Sequence, residues 1–191
     1  MTNNHNKYHE YLQSRSKLGY LYRNFYLYPL LTKNLKGKVL DVGCGIGDFL
    51  NFKKDTVGID INKDNIDYCI KNGLNAKLMV EDKIPFQNSS FDSIILDNVL
   101  EHILDPENLL NEINRVLGDE GRLIIGVPGL KGYASDSDHK SYYDIQKLKD
   151  TLHKFNFNLI KFRFMPINSN IFTKIFSQHC LYAIFEKRGL L

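Results

Sequence analysis

Short apolar runs alternate with helix-length segments through most of this 191-residue chain. The first five runs are rich in Val, Ile and Leu, as strands buried on both faces of a sheet are. Since strands joined by helices pair in parallel, the pattern predicts an α/β fold with a doubly wound, mostly parallel seven-stranded sheet and helices on both faces. The predicted strands span 38–42, 56–60, 76–80, 93–97, 122–127, 159–165 and 180–186.

Helical spacing of apolar residues predicts helices over 8–33, 48–52, 63–71, 106–116 and 144–155. The fourth has Pro106 in its first turn and Asp105 as its cap. The first is crowded with Tyr and Phe, so it either closes over a pocket or packs on the sheet or in a dimer. A short amphipathic segment, 171–176, is predicted to be a core helix, with membrane contact as the alternative.

One long segment, 128–141, shows little periodicity and comes after the fifth predicted strand. A loop of this length in a compact domain is often a lid or a binding loop. Because ligands of open α/β sheets bind at the carboxyl ends of the strands, we expect this loop to lie beside a binding site.

Composition restricts the class of protein. The length suits one domain spanning 1–191, and the net charge of +3, with scattered Lys and Arg, does not indicate nucleic-acid binding. The three cysteines are odd in number and widely spaced, which argues against a disulfide framework and a zinc site and predicts a reduced, cytoplasmic protein. No apolar run approaches the roughly 20 residues of a membrane span, and the N-terminus lacks the apolar core of a secretory signal.

The segment Lys38-Val-Leu-Asp-Val-Gly-Cys-Gly-Ile-Gly-Asp48 has the strongest functional pattern. A strand runs into glycines at alternate positions, Gly43, Gly45 and Gly47, which let the backbone turn sharply and approach a ligand. A tight turn without a ligand is the alternative. Asp60 ends the next strand, where an acid either accepts hydrogen bonds from ribose hydroxyls or caps the next helix.

The glycine pattern differs from that of nicotinamide dinucleotide sites. Those sites need a third glycine where this chain has Asp48. An anionic side chain at the start of a helix also disfavours a pyrophosphate there. The pattern therefore favours a nucleoside cofactor without phosphates.

These motifs resemble the class I S-adenosylmethionine (SAM)-dependent methyltransferases. The segment 39–47 is similar to the first motif of that family, and 58–60 is similar to the second. Ile-Pro-Phe at 84–86, Ser-Phe-Asp at 90–92, Val-Leu-Glu-His at 99–102 and Arg-Val-Leu at 115–117 come next in the family's order. The resemblance implies a helical segment and possible lid at 1–36, a SAM-binding core at 37–128, and a substrate loop with C-terminal strands at 129–191.

The resemblance also implies roles for individual residues. The turn from Gly43 to Gly47 would face the methionine half of SAM, and Asp41 would hold the amino group. Ile61 would pack against the adenine, and Asn98 would lie near the sulfonium and the acceptor. The family's contact to the adenine amino group would come from backbone at Val80 or from an acid nearby. The complete set of expected cofactor-binding residues is Asp41, Gly43, Cys44, Gly45, Gly47, Asp60, Ile61, Val80, Glu81, Asp82 and Asn98.

Two histidines are candidates for a general base, which a hydroxyl acceptor needs. His102 lies just after the fourth strand, where it could instead be part of the local packing. His139 lies in the loop 128–141, where it could instead be solvated. A metal site formed by Asp97, Asp136 and Asp138 would need a further acid after the fifth strand, so no metal is expected.

The residues directly after the fourth strand narrow the range of acceptors. Methyltransferases that act on base amines often have Asn/Asp-Pro-Pro-Tyr there, whereas 97–100 reads Asp-Asn-Val-Leu. We therefore expect methyl transfer to a small-molecule or glycan acceptor, at oxygen, by a monomer or homodimer. The alternative is a catalytically silent SAM-binding sensor or partner subunit.

Overall fold

The computed structural model describes residues 17–80 and 83–189. Within these residues, seven strands form one sheet in the order β3-β2-β1-β4-β5-β7-β6. Strands β1 to β5 pair in parallel, and β7 pairs antiparallel with β5 and β6, so the predicted fold class is confirmed. The strands are β1 Val39–Val42, β2 Thr56–Asp60, β3 Ala76–Leu78, β4 Phe91–Asp97, β5 Leu117–Pro128, β6 Phe157–Met165 and β7 Cys180–Lys187.

The α-helices found in the described residues are α1 Lys17–Tyr22, α2 Tyr28–Thr32, α3 Asp48–Phe52, α4 Lys63–Lys71, α5 Glu107–Val116, α6 Leu130–Ala134 and α7 Ile145–His153. A π-helical turn, Arg23–Leu27, joins α1 to α2, so the described part of the predicted first helix is helical from Lys17 to Thr32 but is not regular α-helix throughout. Pro29 at the start of α2 has no N–H to donate to the preceding turn, which favours this irregularity. Residues 8–16 of that predicted helix lie outside the described residues.

The core lies on both faces of the sheet because neighbouring residues of a strand point to opposite faces. Leu40 of β1 and Ile94 of β4 pack on one face, whereas Val39 and Ile95 pack on the other. The first face is covered by apolar residues of α5 and α7, and the second by residues of α2 and α3. The covering residues are Leu109, Leu110, Ile113, Val116, Leu148 and Leu152 on one side, and Tyr28, Leu31 and Phe49 on the other.

Side-chain caps fix where several helices begin. Asp105 accepts a hydrogen bond from the backbone N–H of Glu107 at 3.2 Å, but the cap position of α5 is Pro106, one residue later than predicted. Asn62 caps α4 by accepting from the N–H of Asp64, and Asp144 caps α7 in the same way.

Three sequence predictions need correction. The loop 128–141 contains the helix α6, which is too short to show periodicity. Strand β3 ends at Leu78, and Val80 instead forms a local bridge with Lys83. The segment 171–176 is not a core helix: it overlaps a 3₁₀-helix, Asn170–Lys174, and Ile171 is 67% exposed. Among the described residues, no helix combines the length and apolarity that crossing a membrane requires.

Candidate functional site

A cavity of about 420 Å³ lies at the carboxyl ends of β1 and β4. Its walls come from the N-terminal helices, the glycine turn after β1, the turn after β4, the segment after β5 and the segment before β7. Five of the predicted cofactor-binding residues, Asp41, Gly43, Cys44, Gly45 and Asn98, line this cavity. Both predicted histidines, His102 and His139, line it as well.

The glycine turn has a backbone that other residues adopt only with strain. Gly43, Gly45 and Gly47 have φ of +75°, +53° and +80°. A Cβ atom on Gly43 would lie 2.4 Å from Cγ2 of Val99. The N–H groups of Gly43 and Cys44 donate to the carbonyl of Ile59 at 2.8 and 3.0 Å, which anchors the turn on the end of β2. The turn is therefore a rigid cradle of backbone, open to the cavity at Gly43 and Gly45.

Three carboxylates create a strongly acidic environment beside this turn. Burial raises the pKa of Asp41 well above its usual range, and the nearby carboxylates of Asp97 and Asp60 raise it further. Asp41 is buried and still lines the cavity. A positively charged ligand would relieve this repulsion, so the chemistry of the site fits a cation.

Asp60 supports the glycine turn directly. One of its carboxylate oxygens accepts a hydrogen bond from the N–H of Gly45 at 2.8 Å, and the other accepts from Asn62 at 2.7 Å. Because Asn62 supplies the cap of α4, the helix-cap alternative for Asp60 is wrong. Carboxylate oxygens can each accept more than one hydrogen bond, which is the property that an acid binding ribose hydroxyls needs.

The residues predicted to contact adenine lie on the surface rather than in the cavity wall. Ile61 is 57% exposed and Val80 is 73% exposed. Glu81 and Asp82 lie outside the described residues, so their predicted role stays a prediction.

Asn98 occupies an unusual backbone conformation for a residue other than glycine, with φ of +54°. Its N–H donates to the carbonyl of Gly126 at 2.9 Å, and its side-chain amide donates to Asp97 at 2.9 Å. Tyr182 donates its hydroxyl to the same oxygen of Asp97 at 2.9 Å. These contacts fix Asn98 at the end of β4, and strained positions of this kind are concentrated at functional sites.

A cluster of Glu101, His102 and His139, here called the Glu–His–His cluster, forms another part of the cavity wall. Glu101 and His102 belong to a 3₁₀-helix, Leu100–His102, that comes after β4. The N–H groups of Lys140 and Ser141 donate to the carbonyl of Glu101 at 2.7 and 3.1 Å, which brings the loop after α6 against this turn. As a result, the ring centroids of His102 and His139 lie 4.7 Å apart.

The electrostatics of the Glu–His–His cluster are those of buried groups. Burial raises the pKa of the Glu101 carboxyl to about 8. Burial and the neighbouring His139 lower the pKa of His102. Sequence reasoning missed Glu101, although an acid directly before a histidine at the end of a strand was a usable signal. The three acids that the sequence analysis considered as metal ligands and set aside, Asp97, Asp136 and Asp138, do not form the group of close potential ligands found among the described residues, which is Glu101, His102 and His139.

Arg23 is a second residue that sequence reasoning missed. It lines the cavity from the π-helical turn and forms an ion pair with Asp48, with 3.1 Å between Nη2 and Oδ2. Its Nε is buried and has no hydrogen-bond acceptor within 17–80 and 83–189. The sequence signal that could have indicated Arg23 was a positively charged residue within the aromatic N-terminal segment. Tyr22 and Tyr28 also line the cavity, so the N-terminal helices contribute to its wall.

Comparison with known proteins adds independent observations. Residues 8–161 match a family described as a methyltransferase domain. An uncharacterized protein of Methanocaldococcus jannaschii is 32% identical over 150 residues, which cover 74% of this chain and 54% of that protein. The chain spans about half the length of the curated relatives it matches.

Solved structures show the same fold. A SAM-dependent methyltransferase from Archaeoglobus fulgidus superimposes with a TM-score of 0.68 at 20% identity, covering 90% of this chain and 100% of that chain. A SAM-dependent methyltransferase of Thermotoga maritima, described as a possible histamine N-methyltransferase, gives a TM-score of 0.74 at 18% identity. That match covers 95% of this chain and 98% of the other.

Proposed function

Since the chain belongs to the methyltransferase-domain family and has the class I SAM-dependent methyltransferase fold, we propose that it transfers a methyl group from SAM to a hydroxyl oxygen of a small molecule or glycan. The observation that supports this most is the acidic, glycine-lined cradle at the carboxyl ends of β1 and β4. SAM supplies an activated methyl group on a positively charged sulfur, and the protein supplies position and surroundings.

The residues of the cradle fit this cofactor in charge and shape. The carboxylates of Asp41 and Asp97 suit its positive groups, and the positive-φ glycines let it approach the backbone. Arg23 offers its unpaired Nε to the cofactor's carboxylate. Asp60 would accept from the ribose hydroxyls while it keeps its bonds to the turn. The exposed side chains of Ile61 and Val80 would pack beside the adenine.

The Glu–His–His cluster supports oxygen as the acceptor atom. A hydroxyl keeps its proton at neutral pH, so an enzyme that methylates oxygen gains from groups that promote loss of that proton. His102 and His139 line the same cavity as Asn98, which we place beside the acceptor. The cavity volume of about 420 Å³ lies within the range of small-molecule sites, as binding of SAM requires.

The first test is calorimetry with SAM on the full chain and on Asp60→Ala. Loss of the ribose hydrogen bonds should weaken SAM binding by about 1–3 kcal/mol. Because Asp60 also holds Gly45 and Asn62, the matched control is Asn62→Ala, which removes the cap of α4 and leaves the carboxylate in place. Unchanged affinity in Asp60→Ala would remove Asp60 from the proposed site.

The second test is turnover with methyl-labelled SAM. We expect label in hydroxylated small molecules or oligosaccharides. Label found only in RNA or protein would refute the proposed acceptor class. SAM binding without any turnover would favour the alternative of a sensor or partner subunit.

A further inference from the structure

The Glu101 side chain is unusual because it is buried without hydrogen-bond donors. It is 1% exposed, and neither carboxylate oxygen accepts a hydrogen bond from any residue the structure describes. Buried carboxylates are normally paired, hydrogen-bonded or bound to a metal. Glu101 belongs to the cavity wall, so its buried carboxylate lies beside the space that a ligand would occupy.

Two histidines offer nitrogen atoms at the same place. One ligand atom from each of Glu101, His102 and His139 can be chosen so that all three lie within 4.8 Å of one another. Donors about 2.1 Å from one ion are separated by roughly 3–4 Å, so a small rotation of the rings would bring these atoms into range. From this juxtaposition, we propose that Glu101, His102 and His139 bind a divalent transition-metal ion at the acceptor end of the cavity.

The hydrogen bonding of His139 supports this assignment. Its Nδ1 lies 2.8 Å from the carbonyl oxygen of Tyr133, which can only accept, so Nδ1 donates. In the neutral ring, Nε2 then has a free lone pair, and it lies 3.9 Å from Oε1 of Glu101. A charge-assisted hydrogen bond would be about 1 Å shorter. Metal-binding histidines typically donate their other ring nitrogen to a carbonyl in this way.

The donor set indicates the class of metal. Two imidazoles and one carboxylate suit zinc and its first-row neighbours, whereas magnesium prefers oxygen ligands. Asp136 lies 3.9 Å from Nε2 of His139 and could supply a fourth ligand. Asp138 lies 3.5 Å from Nδ1 of His102 and could hold that ring in place from outside the coordination sphere. This site differs from the sequence expectation that no metal is bound.

The catalytic use of the metal rests on the proposed function, whereas metal binding itself does not. A coordination position open to the cavity would take the acceptor's hydroxyl oxygen. Binding to zinc lowers the pKa of water to about 7, so a hydroxyl held there would lose its proton to solvent more readily. The cluster would then orient and activate the acceptor through the metal, with neither histidine taking the proton.

Metal binding can be tested without any methyl acceptor. The full chain is treated with chelator, and Co²⁺ is then titrated while its visible absorption is monitored, with Zn²⁺ calorimetry in parallel. We expect one saturable site per chain. Glu101→Gln and His139→Ala should each weaken Co²⁺ binding by more than about 100-fold, beyond the effect of losing an outer-shell contact. His153→Ala is the matched control, since His153 is an exposed histidine at the end of α7.

SAM calorimetry on the same samples separates the two proposals. Wild-type protein that binds SAM but neither Co²⁺ nor Zn²⁺ would overturn the metal site and leave the cofactor site standing. Metal binding without SAM binding would overturn the cofactor site and leave the metal site standing. Equal Co²⁺ affinity in wild type, Glu101→Gln and His139→Ala would also overturn the proposal. If Glu101→Gln does not fold, as judged by circular dichroism, His139→Ala and His102→Ala decide the result.

Discussion

Replacing Gly43 by alanine should destabilise the protein more than the same change at Gly73, although both have φ near +75° (75° and 72°). A Cβ atom on Gly73 would have no atom within 4 Å, so Gly73→Ala introduces only left-handed strain, about 1–2 kcal/mol. On Gly43, the Cβ atom would lie 2.4 Å from Cγ2 of Val99. Overpacking of this kind adds about 1–3 kcal/mol, which gives a total of roughly 2–5 kcal/mol.

The two variants should also differ in cofactor binding. Relief of the clash requires movement of the glycine turn or of Val99, so Gly43→Ala should weaken SAM binding as well as stability. Gly73 lies just after α4 and does not line the cavity, so Gly73→Ala should retain wild-type SAM affinity. Urea unfolding measures the free energy of unfolding, and calorimetry measures SAM affinity.

A double variant tests the cause. Val99→Ala removes the methyl groups that the new Cβ atom would meet, so Gly43→Ala should be less harmful in that background. The left-handed strain would remain. The packing argument is refuted if the losses in free energy of unfolding caused by Gly43→Ala and Gly73→Ala differ by less than about 0.5 kcal/mol. It is also refuted if the coupling energy between Gly43→Ala and Val99→Ala is below about 0.5 kcal/mol.

Three further predictions concern the charged groups of the cavity. Because burial and neighbouring carboxylates raise the pKa of Asp41, its contribution to stability is complete below about pH 4 and is lost as pH rises through its folded-state pKa. When the free energy of unfolding is measured across pH, Asp41→Asn should therefore lose less stability than the wild type as pH rises. Parallel stability curves for the two proteins would contradict this prediction. Arg23→Gln should weaken SAM binding by about 1–3 kcal/mol in calorimetry if Arg23 pairs with the cofactor's carboxylate. Tyr182→Phe should lower the free energy of unfolding by about 1–3 kcal/mol because it removes a donor to Asp97, and an unchanged urea midpoint would argue against that bond.

The strands could be predicted well because their signal is local. Each of the seven predicted strands overlaps an observed one, and β2 has the predicted bounds. The start of β5 could not be predicted: Leu117 pairs with Phe91 across a register irregularity, and the residues after it, Gly-Asp-Glu-Gly, resemble a turn. That pairing depends on a neighbouring strand, and a short segment does not reveal it.

Helix α6 illustrates the same limit. It is five residues long and has Gly132 at its centre, where glycine disfavours a helix. A Cβ atom there would lie 2.5 Å from the carbonyl oxygen of Ser177, so the helix packs closely against a segment far along the chain. The presence of glycine at position 132 is thus explained by a long-range contact, which no local sequence pattern could show.

The two parts of the cavity differ in how the chain builds them, and this explains what the sequence could reveal. Most of the residues predicted to hold the cofactor, including the glycine turn and Asp60, come from one continuous stretch, from Asp41 to Asp60, so their spacing is readable directly. The acceptor end joins the turn after β4 to the loop after α6, through the bonds from Lys140 and Ser141 to Glu101. Because sequence spacing says little about such distant meetings, the cofactor class was predictable, whereas the Glu–His–His cluster required the fold.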